Sequence, residues 1–270
     1  MNPIILLQYP FIQQAFAAGI AIAALCAVLG LFLVLKNMSF IGDGLSHISF
    51  GAIALGLFLG IFPLYIALPF TLISSWLILL LSQTTKMYSD AAIAVISTLG
   101  MAIGVILVSI SHGLNLSLFS YLFGSILTIT ATEVWLTLIF SAAALAVIML
   151  FYNELFYVVF DAECAKTAGI NVGRINLLLV SITALAVVLA IRVVGVLLTL
   201  AILVIPPITA LQIGRSFKQT LMLSVAIGIF SMAGGILVSL LLDWPTGATI
   251  VVVNFAVFCA AITLKKIAAS

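Results

Sequence analysis

The amino-acid sequence predicts an all-α membrane protein that crosses the bilayer eight or nine times. Of its 270 residues, 66% are hydrophobic and only 6% are charged. A soluble domain has roughly 45–50% apolar and about 25% charged residues, so a soluble fold could not cover its surface with this composition. Apolar runs of about 20 residues recur along the chain, and in lipid such runs form helices because the backbone must satisfy its own hydrogen bonds.

Isolated polar residues divide the apolar runs into nine candidate spans. Gly60 and Pro63 separate the second span from the third by a turn signal alone, which leaves the count at eight or nine. The segment 113–130 is short and rich in Ser, Thr and Gly, so we expect a re-entrant or surface helix there, or a further span. The candidate spans are residues 13–35, 44–62, 63–82, 91–111, 134–152, 175–191, 194–214, 220–242 and 246–264.

The distribution of Lys and Arg predicts the orientation of these spans. When Lys36 is placed in the cytoplasm and crossings are counted, all nine basic residues except Arg192 fall on the cytoplasmic side, as the positive-inside rule requires. The N-terminus is then outside and the C-terminus cytoplasmic, provided that residues 113–130 do not cross. No linker-like stretch divides the chain, so we expect residues 1–270 to form a single transmembrane domain.

Several classes of function are excluded by composition and motifs. The net charge is only +2 and no basic stripe is present, so nothing indicates a nucleic-acid partner. The chain has no G-x-x-x-x-G-K-[ST] loop for ATP and no H-E-x-x-H helix for a zinc protease. The spacing of its three cysteines fits no metal or disulfide framework. We therefore expect neither an enzyme nor a permanently bound cofactor.

Two ionisable residues within an apolar span are the candidate metal ligands. Asp43 and His47 are four positions apart, which places them on one face of a helix. A carboxylate and an imidazole could converge there on one divalent cation such as zinc, manganese or iron(II). Ser46 and Asn37 are candidate partners of these ligands. Two alternatives stay open: Asp43 could cap the helix or pair with Lys36, and His47 could be a hydrogen-bonded core histidine.

The longest polar segment on the predicted cytoplasmic side is the loop at residues 153–174. Within it, residues 161–168 can form a short helix that has Asp161 as its N-cap and stops at Gly169. A helix on the cytoplasmic face of a transporter suggests docking to another protein. An ordinary capped linker helix would have the same pattern.

Other polar and helix-breaking residues allow two readings each. His112 and Glu133 lie near the predicted outer face, where they could help an ion to reach the pathway or be ordinary loop residues. Pro206 and Pro207 lie within one apolar span, and proline bends a helix because it removes a backbone donor. Broken helices often line transport pathways, and simple packing kinks give the same pattern.

Four stretches taken in order resemble the ABC-3 family of metal permeases, from about residue 10 to residue 264. The first contains Ser39, Asp43, Ser46 and His47 in the family's S-x-x-x-D-x-x-S-H pattern, and the second places Asp90 at the family's acidic position. The stretches are LVLKNMSFIGDGLSHISFGAIALG (33–56), SDAAIAVISTLGMAIGVIL (89–107), DAECAKTAGINV (161–172), and RVVGVLLTLAILVIPPITALQI (192–213) followed by DWPTGATIVVV (243–253).

The resemblance implies the permease subunit of an ATP-binding-cassette importer in a bacterial cytoplasmic membrane. Such a subunit moves zinc or manganese into the cytoplasm by alternating access, and the resemblance slightly favours zinc. It also implies a homodimeric pore, a separate cytoplasmic ATPase subunit and an extracytoplasmic metal-binding protein. Asp43 and His47 match the positions proposed to face the ion path. The resemblance further implies that the ATPase docks on residues 161–169, with Asp161, Glu163, Ala165, Lys166 and Gly169 as the expected docking residues.

Two other classes of membrane protein are alternatives to this interpretation. An ion-coupled secondary transporter would work without an ATPase, and such proteins tend to carry several membrane-embedded acids. Most acids of this sequence fall in predicted loops, which weighs against that class. A membrane scaffold that transports nothing would not need an Asp/His pair within a span. Co-purification of an ATPase would distinguish the first alternative, and an uptake assay the second.

Overall fold

A computed structural model of the chain describes residues 9–84, 88–111, 120–124 and 130–269. Within these ranges, nine helices are long and apolar enough to cross a membrane, and no strand is present. In chain order the helices are α1 Pro10–Leu35, α2 Ile41–Phe58, α3 Pro63–Thr84, α4 Ser89–Ile110, α5 Ala131–Leu150, α6 Tyr152–Phe160, α7 Ala162–Thr167, α8 Val172–Val194, α9 Thr199–Ile213, α10 Phe217–Leu242 and α11 Thr246–Ala269. The helices α6 and α7 are too short to cross, and α9 crosses together with the 3₁₀ turn before it, as the span Val196–Ile213. The nine spans confirm the predicted all-α membrane fold.

The structure contains the predicted turn between the second and third spans. Gly60 adopts a positive φ of 68°, a conformation that glycine reaches without steric cost, and Pro63 opens α3. Nine spans therefore correspond one to one with the nine candidate segments. Of the segment 113–130, where a re-entrant or surface helix or a further span was predicted, the structure describes residues 120–124 and 130, and residues 120–123 are helical.

The helices α1 and α8 form the centre of the bundle. Their middle turns are buried on every side, at residues 25–33 of α1 and 186–191 of α8. An outer helix such as α4 buries only a narrow face and leaves apolar side chains such as Leu99 and Ile106 exposed. A helix that is apolar all round belongs inside such a bundle, and the exposed apolar faces of its neighbours suit contact with lipid or another subunit.

Basic residues collect at one end of the bundle, where Lys36 contacts Asn176 of α8 and Lys265 contacts Gln212 of α9. We call this end the basic end; the short helices α6 and α7 also lie there, between α5 and α8. The first turns of α2, α4, α8 and α10 are at the basic end, and those of α5 and α11 are at the opposite end. The described basic residues at the basic end are Lys36, Lys166, Arg174, Arg215, Lys218, Lys265 and Lys266.

Glycine allows α2 and α4 to approach closely. A Cβ atom on Gly51 would lie 2.3 Å from the carbonyl oxygen of Gly100, and one on Gly100 would lie 2.7 Å from the Cα of Ile48. Both distances are far shorter than a van der Waals contact, so only glycine fits at either position. Small residues serve this purpose in membrane helices, where close packing replaces the hydrophobic driving force.

The span that contains α9 is broken near its start and packed tightly in its middle. Gly195 ends α8 with φ of 95°, and a 3₁₀ turn at Val196–Leu198 follows before α9 begins. Pro207 lacks the N–H that would bond to the Leu203 carbonyl. That carbonyl instead faces α1, where a Cβ on Gly30 would lie 1.8 Å from its oxygen.

Candidate functional site

Asp43 and His47 face each other on the first two turns of α2. The Asp43 Oδ2 and His47 Nε2 atoms are 3.6 Å apart, and the two side chains are 38% and 26% exposed, respectively. The other imidazole nitrogen, Nδ1, is buried and has no hydrogen-bond partner among the described residues. A buried polar atom without a partner is costly, so this imidazole differs from a hydrogen-bonded core histidine.

The alternatives for Asp43 do not match the geometry. The N-cap of α2 is Phe40, and no side chain caps the helix. Lys36 donates a hydrogen bond to Asn176 of α8, and none of the ion pairs of the described chain joins Lys36 to Asp43. Burial lowers the pKa of the Lys36 ammonium to about 8. The carboxylate of Asp43 is thus left for the histidine or for a ligand.

Neither predicted partner bonds to the side chains of the pair. Ser46 is fully buried and donates to the backbone oxygen of Asp43 at 2.8 Å, as serine within a helix commonly does. Asn37 is exposed and precedes α2 with φ of 58°. No hydrogen bond joins Asn37 to Asp43 or His47 in the described part of the chain. The structure therefore brings together the two candidate ligands, without Asn37.

The Asp43–His47 pair lies on a narrow exposed stripe of α2 between two neighbouring helices. On one side, a Cβ on Gly44 would lie 2.4 Å from Ile93 of α4. On the other, a Cβ on Gly42 would lie 2.9 Å from Leu203 of α9. Within the described residues, no group of three His, Cys, Asp or Glu side chains could hold a metal. One chain thus offers two ligands on an open face.

The short helix α7 has a well-defined start and end. The Asp161 carboxylate accepts hydrogen bonds from the backbone N–H groups of Glu163 and Cys164, at 3.1 and 2.9 Å. The Cys164 side chain and these N–H groups hold the pKa of the Asp161 carboxyl below its usual value. At the other end, Gly169 has φ of 85°, and its N–H and that of Ile170 bond back to the last turn. This pattern of bonds is a Schellman motif.

One face of α7 is free and the opposite face packs on the bundle. Glu163 and Lys166 form an exposed ion pair of 2.9 Å. Ala165 is fully buried, so its side chain holds α7 against the bundle instead of meeting a partner. Of the five predicted docking residues, Asp161, Glu163, Lys166 and Gly169 are exposed.

A cluster of aromatic rings connects α6 to two long spans. Phe156 of α6 and Phe217 of α10 have ring centroids 5.1 Å apart. Phe217 also contacts Phe32 of α1, at 5.5 Å. Tyr152 and Phe160 of α6 complete the cluster around Phe217, at 5.9 and 5.8 Å. Because α7 follows α6 directly, these rings connect the segment that carries α7 to α1 and α10.

The end opposite the basic end holds an ion pair that sequence reasoning missed. Arg192 and Glu133 are 13% and 5% exposed and lie 2.7 Å apart, with a second contact of 3.0 Å between their side chains. The Arg192 guanidinium also lies over the ring of Tyr121 at 4.8 Å. Glu133 is therefore neutralised and not a free carboxylate for an arriving ion. His112, the other residue proposed there, lies outside the described residues.

The family model of the ABC 3 transport family matches residues 8–265 of the chain. This chain belongs to the ABC 3 transport family. The match includes α1 to α10, with the short helices α6 and α7, and all but the last four residues of α11. Membership of the ABC 3 family confirms the resemblance found in the sequence, and multi-pass membrane insertion follows from the nine apolar helices.

Relatives of known name cover nearly the whole length of this ABC 3 protein. The manganese transport system membrane protein MntC of Halalkalibacterium halodurans is 32% identical over 256 residues, which cover 95% of this chain and 88% of that protein. The high-affinity zinc uptake system membrane protein ZnuB of Buchnera aphidicola is also 32% identical, with coverages of 93% and 96%. Among solved structures, PsaBC from Streptococcus pneumoniae in complex with Fab has a TM-score of 0.87 at 29% identity, and the match covers 96% of this chain and 94% of the other.

Proposed function

We propose that this ABC 3 protein is the membrane-spanning permease subunit of an ATP-driven importer for a divalent transition metal, with zinc as its first cargo. The observation that carries the proposal is the Asp43–His47 pair on an open face of α2. The names of the manganese and zinc relatives support the same class of cargo. The chain itself would catalyse no reaction, since ATP hydrolysis would belong to a separate subunit.

The ligand chemistry of the pair supports zinc as the cargo. Zinc bonds of about 2.1 Å at a tetrahedral angle place two ligand atoms about 3.4 Å apart, near the observed 3.6 Å. Two facing copies would supply two imidazoles and two carboxylates, and imidazole suits zinc better than it suits manganese. Weak ligation by each chain lets the ion leave as well as arrive.

Three partners follow from this proposal. A second copy would complete the pathway, because one chain presents its two ligands on an open face. A cytoplasmic ATP-binding subunit would dock on the exposed face of α7, around Asp161, Glu163, Lys166 and Gly169. An extracytoplasmic metal-binding protein would deliver the ion at the opposite end. The chain would then lie in a bacterial cytoplasmic membrane with its basic end and its C-terminus in the cytoplasm.

The proposed mechanism is alternating access. The ATPase would displace α7, and the aromatic cluster at Phe217 would transmit the displacement to α1 and α10. The helices α2 and α4 would move together because their backbones are in contact. The break at Gly195 and the missing proline bonds of α9 give the neighbouring span the freedom to bend.

The positions of the acids support an ATP-driven importer over an ion-coupled transporter. All seven acids of the chain lie in helix caps or within the first turns of helices. An ion-coupled transporter usually carries acids deeper in the membrane, where they bind the coupling ion. Here the acid nearest the pathway is Asp43, on the first turn of α2.

Metal uptake by cells that lack this gene tests the proposal. The cells are complemented with the wild type, Asp43→Asn or His47→Gln, and zinc and manganese uptake are followed together. Removal of a residue that merely supports a metal ligand lowers metal affinity or activity by roughly tenfold or more. Removal of a ligand itself should cost at least as much, so we expect each variant to lower metal uptake at least about tenfold. Asp243→Asn is the matched control, since it makes the same chemical change at the opposite end of the bundle.

The possible outcomes separate the parts of this proposal. Loss of zinc uptake in both ligand variants, with normal protein levels and a normal Asp243→Asn control, supports the assignment. Loss of manganese uptake alone would show that the cargo is manganese and not zinc. Normal uptake of both metals in both variants would remove Asp43 and His47 from the pathway.

A further inference from the structure

Two apolar grooves flank the first turns of α8 at the basic end. The first, between α3 and α8, has a volume of about 570 Å³. The second, between α5 and α8, has a volume of about 370 Å³. Arg174 and Leu177 line both grooves, so they form the ridge between them.

The first groove is as long as one lipid leaflet is thick. It extends along α3 from Ile73 to Gln83, which at 1.5 Å per residue is about 15 Å. The hydrocarbon core of a bilayer is about 30 Å thick, so a single leaflet accounts for about 15 Å. Ile73, Leu77 and Leu80 leave this surface apolar and exposed. A groove of this length at the edge of the membrane fits one acyl chain.

Arg174 is the one charged residue among the described residues that line either groove. Its side chain is exposed, and no carboxylate lies within 4.0 Å of it, because the ion pairs of the described chain join other residues. The polar side chains beside it are uncharged: Asn171 and Gln83 in the first groove and Ser181 in the second. The ridge therefore presents an unpaired cation where the apolar surface meets water.

A hydrogen bond between α3 and α8 holds the two grooves apart. Trp76 of α3 donates its indole N–H to the Ser181 hydroxyl of α8 at 2.8 Å. Trp76 lines the first groove and Ser181 the second. This hydrogen bond joins the two helices across the ridge, so the grooves keep their separation.

We propose that an anionic phospholipid binds here, with its phosphate at Arg174 and its acyl chains in the two grooves. Basic pockets between membrane helices bind anionic headgroups, and two chains below one phosphate match two grooves below one guanidinium. A second copy of the chain would instead have to bring a carboxylate to Arg174. This lipid site is independent of the proposed cargo.

Quenching of Trp76 fluorescence by brominated lipids tests the site directly. The chain has three tryptophans, and Trp135 and Trp244 lie at the end opposite the basic end. Full-length protein with Trp135→Phe and Trp244→Phe keeps Trp76 alone. The brominated lipid is added to membranes of neutral lipid. We expect brominated phosphatidylglycerol to quench Trp76 at a mole fraction about fivefold lower than the mole fraction of brominated phosphatidylcholine that gives the same quenching. One cation near the membrane surface attracts an anionic lipid by about this factor.

Two variants and a second reporter serve as controls. Arg174→Gln should remove the preference for phosphatidylglycerol. Lys218→Gln should keep it, because Lys218 is also exposed on the first turn of a span at the basic end and lines neither groove. Protein with Trp135 as its single tryptophan should be quenched equally by both lipids, since Trp135 is 67% exposed at the far end.

Several results would overturn the proposal. Equal quenching of Trp76 by the two lipids in the protein that carries only the Trp135→Phe and Trp244→Phe changes would exclude an anionic site. Loss of the preference in excess inorganic phosphate would mean that free phosphate occupies Arg174. Protection of Trp76 from both lipids would mean that a second copy covers this face. Ala143→Phe fills the second groove. If this variant kept the full preference for phosphatidylglycerol, the lipid would occupy the first groove alone.

Discussion

At the scale of single residues, the shortest and most buried ion pair of the described chain joins Arg192 and Glu133. We expect Arg192→Leu to lower the free energy of unfolding by about 3–5 kcal/mol, because it leaves a buried carboxylate without its partner. The double variant with Glu133→Leu should recover most of this loss, since replacing both charges by apolar groups is often neutral. Unfolding in detergent, followed by circular dichroism, measures both changes.

The exposed pair of Lys166 and Glu163 is the control for this prediction. Its side chains are 58% and 85% exposed, and exposed ion pairs contribute little to stability. Lys166→Leu should therefore leave the unfolding midpoint nearly unchanged. A loss from Arg192→Leu as small as the loss from Lys166→Leu would contradict the assignment of Arg192 and Glu133 as a buried pair.

Contacts between residues close in sequence were predictable, and contacts between residues distant in sequence were not. The spacing of Asp43 and His47 fixes their common helix face, and the structure places them 3.6 Å apart. Arg192 was predicted only as the exception to the charge bias of the spans. Its partner is 59 residues away in sequence, and no local pattern relates two positions so far apart. Ala165 was predicted for docking because the motif includes it, but its burial depends on how α7 packs.

At the scale of helices, the close contact of α2 and α4 positions His47, which lies one turn before Gly51. We expect Gly51→Ala to lower the free energy of unfolding by about 1–3 kcal/mol, as overpacking does, because its Cβ would lie 2.3 Å from the Gly100 carbonyl oxygen. The same variant should lower metal uptake, since α2 would have to shift. Thermal unfolding in detergent and the uptake assay measure the two effects.

Gly234→Ala is the matched control for the contact of α2 and α4. Gly234 is also within a spanning helix, but its Cβ would lie 3.5 Å from Val253, an ordinary contact. This change should be neutral or stabilising by up to about 1 kcal/mol, because alanine favours helix more than glycine does. If Gly51→Ala proved as harmless as Gly234→Ala, the two helices would not touch at Gly51.

The spans themselves were predictable to within a few residues because apolar length decides where a membrane helix forms. Which spans pack against each other was not predictable. The contact of α2 with α4 depends on Gly51 and Gly100, and a single glycine in an apolar run has no pattern that names its partner. The capping residues of α7 were predictable, since Asp161 and Gly169 act on adjacent backbone groups.

At the scale of the whole molecule, the three native cysteines report its orientation in the membrane. Cys164 is exposed on α7 at the basic end, and Cys26 is buried. Cys259 is exposed on α11 but within a spanning segment, where a charged reagent does not reach. We expect a membrane-impermeant maleimide to label Cys164 in inside-out vesicles and to label no described cysteine in intact cells. Cys164→Ser should abolish the labelling, and labelling of Cys164 from outside would reverse the proposed orientation.

The rate of this labelling should also depend on pH in a defined direction. The Asp161 carboxylate raises the pKa of the Cys164 thiol above its usual value, through a hydrogen bond and its negative charge. Maleimide reacts with the thiolate, so labelling should be slow near neutral pH and should rise steadily as the pH approaches the raised pKa. Asp161→Asn keeps a good N-cap but removes the charge, so it should speed labelling at neutral pH. An unchanged rate in Asp161→Asn would show that the carboxylate does not act on the thiol.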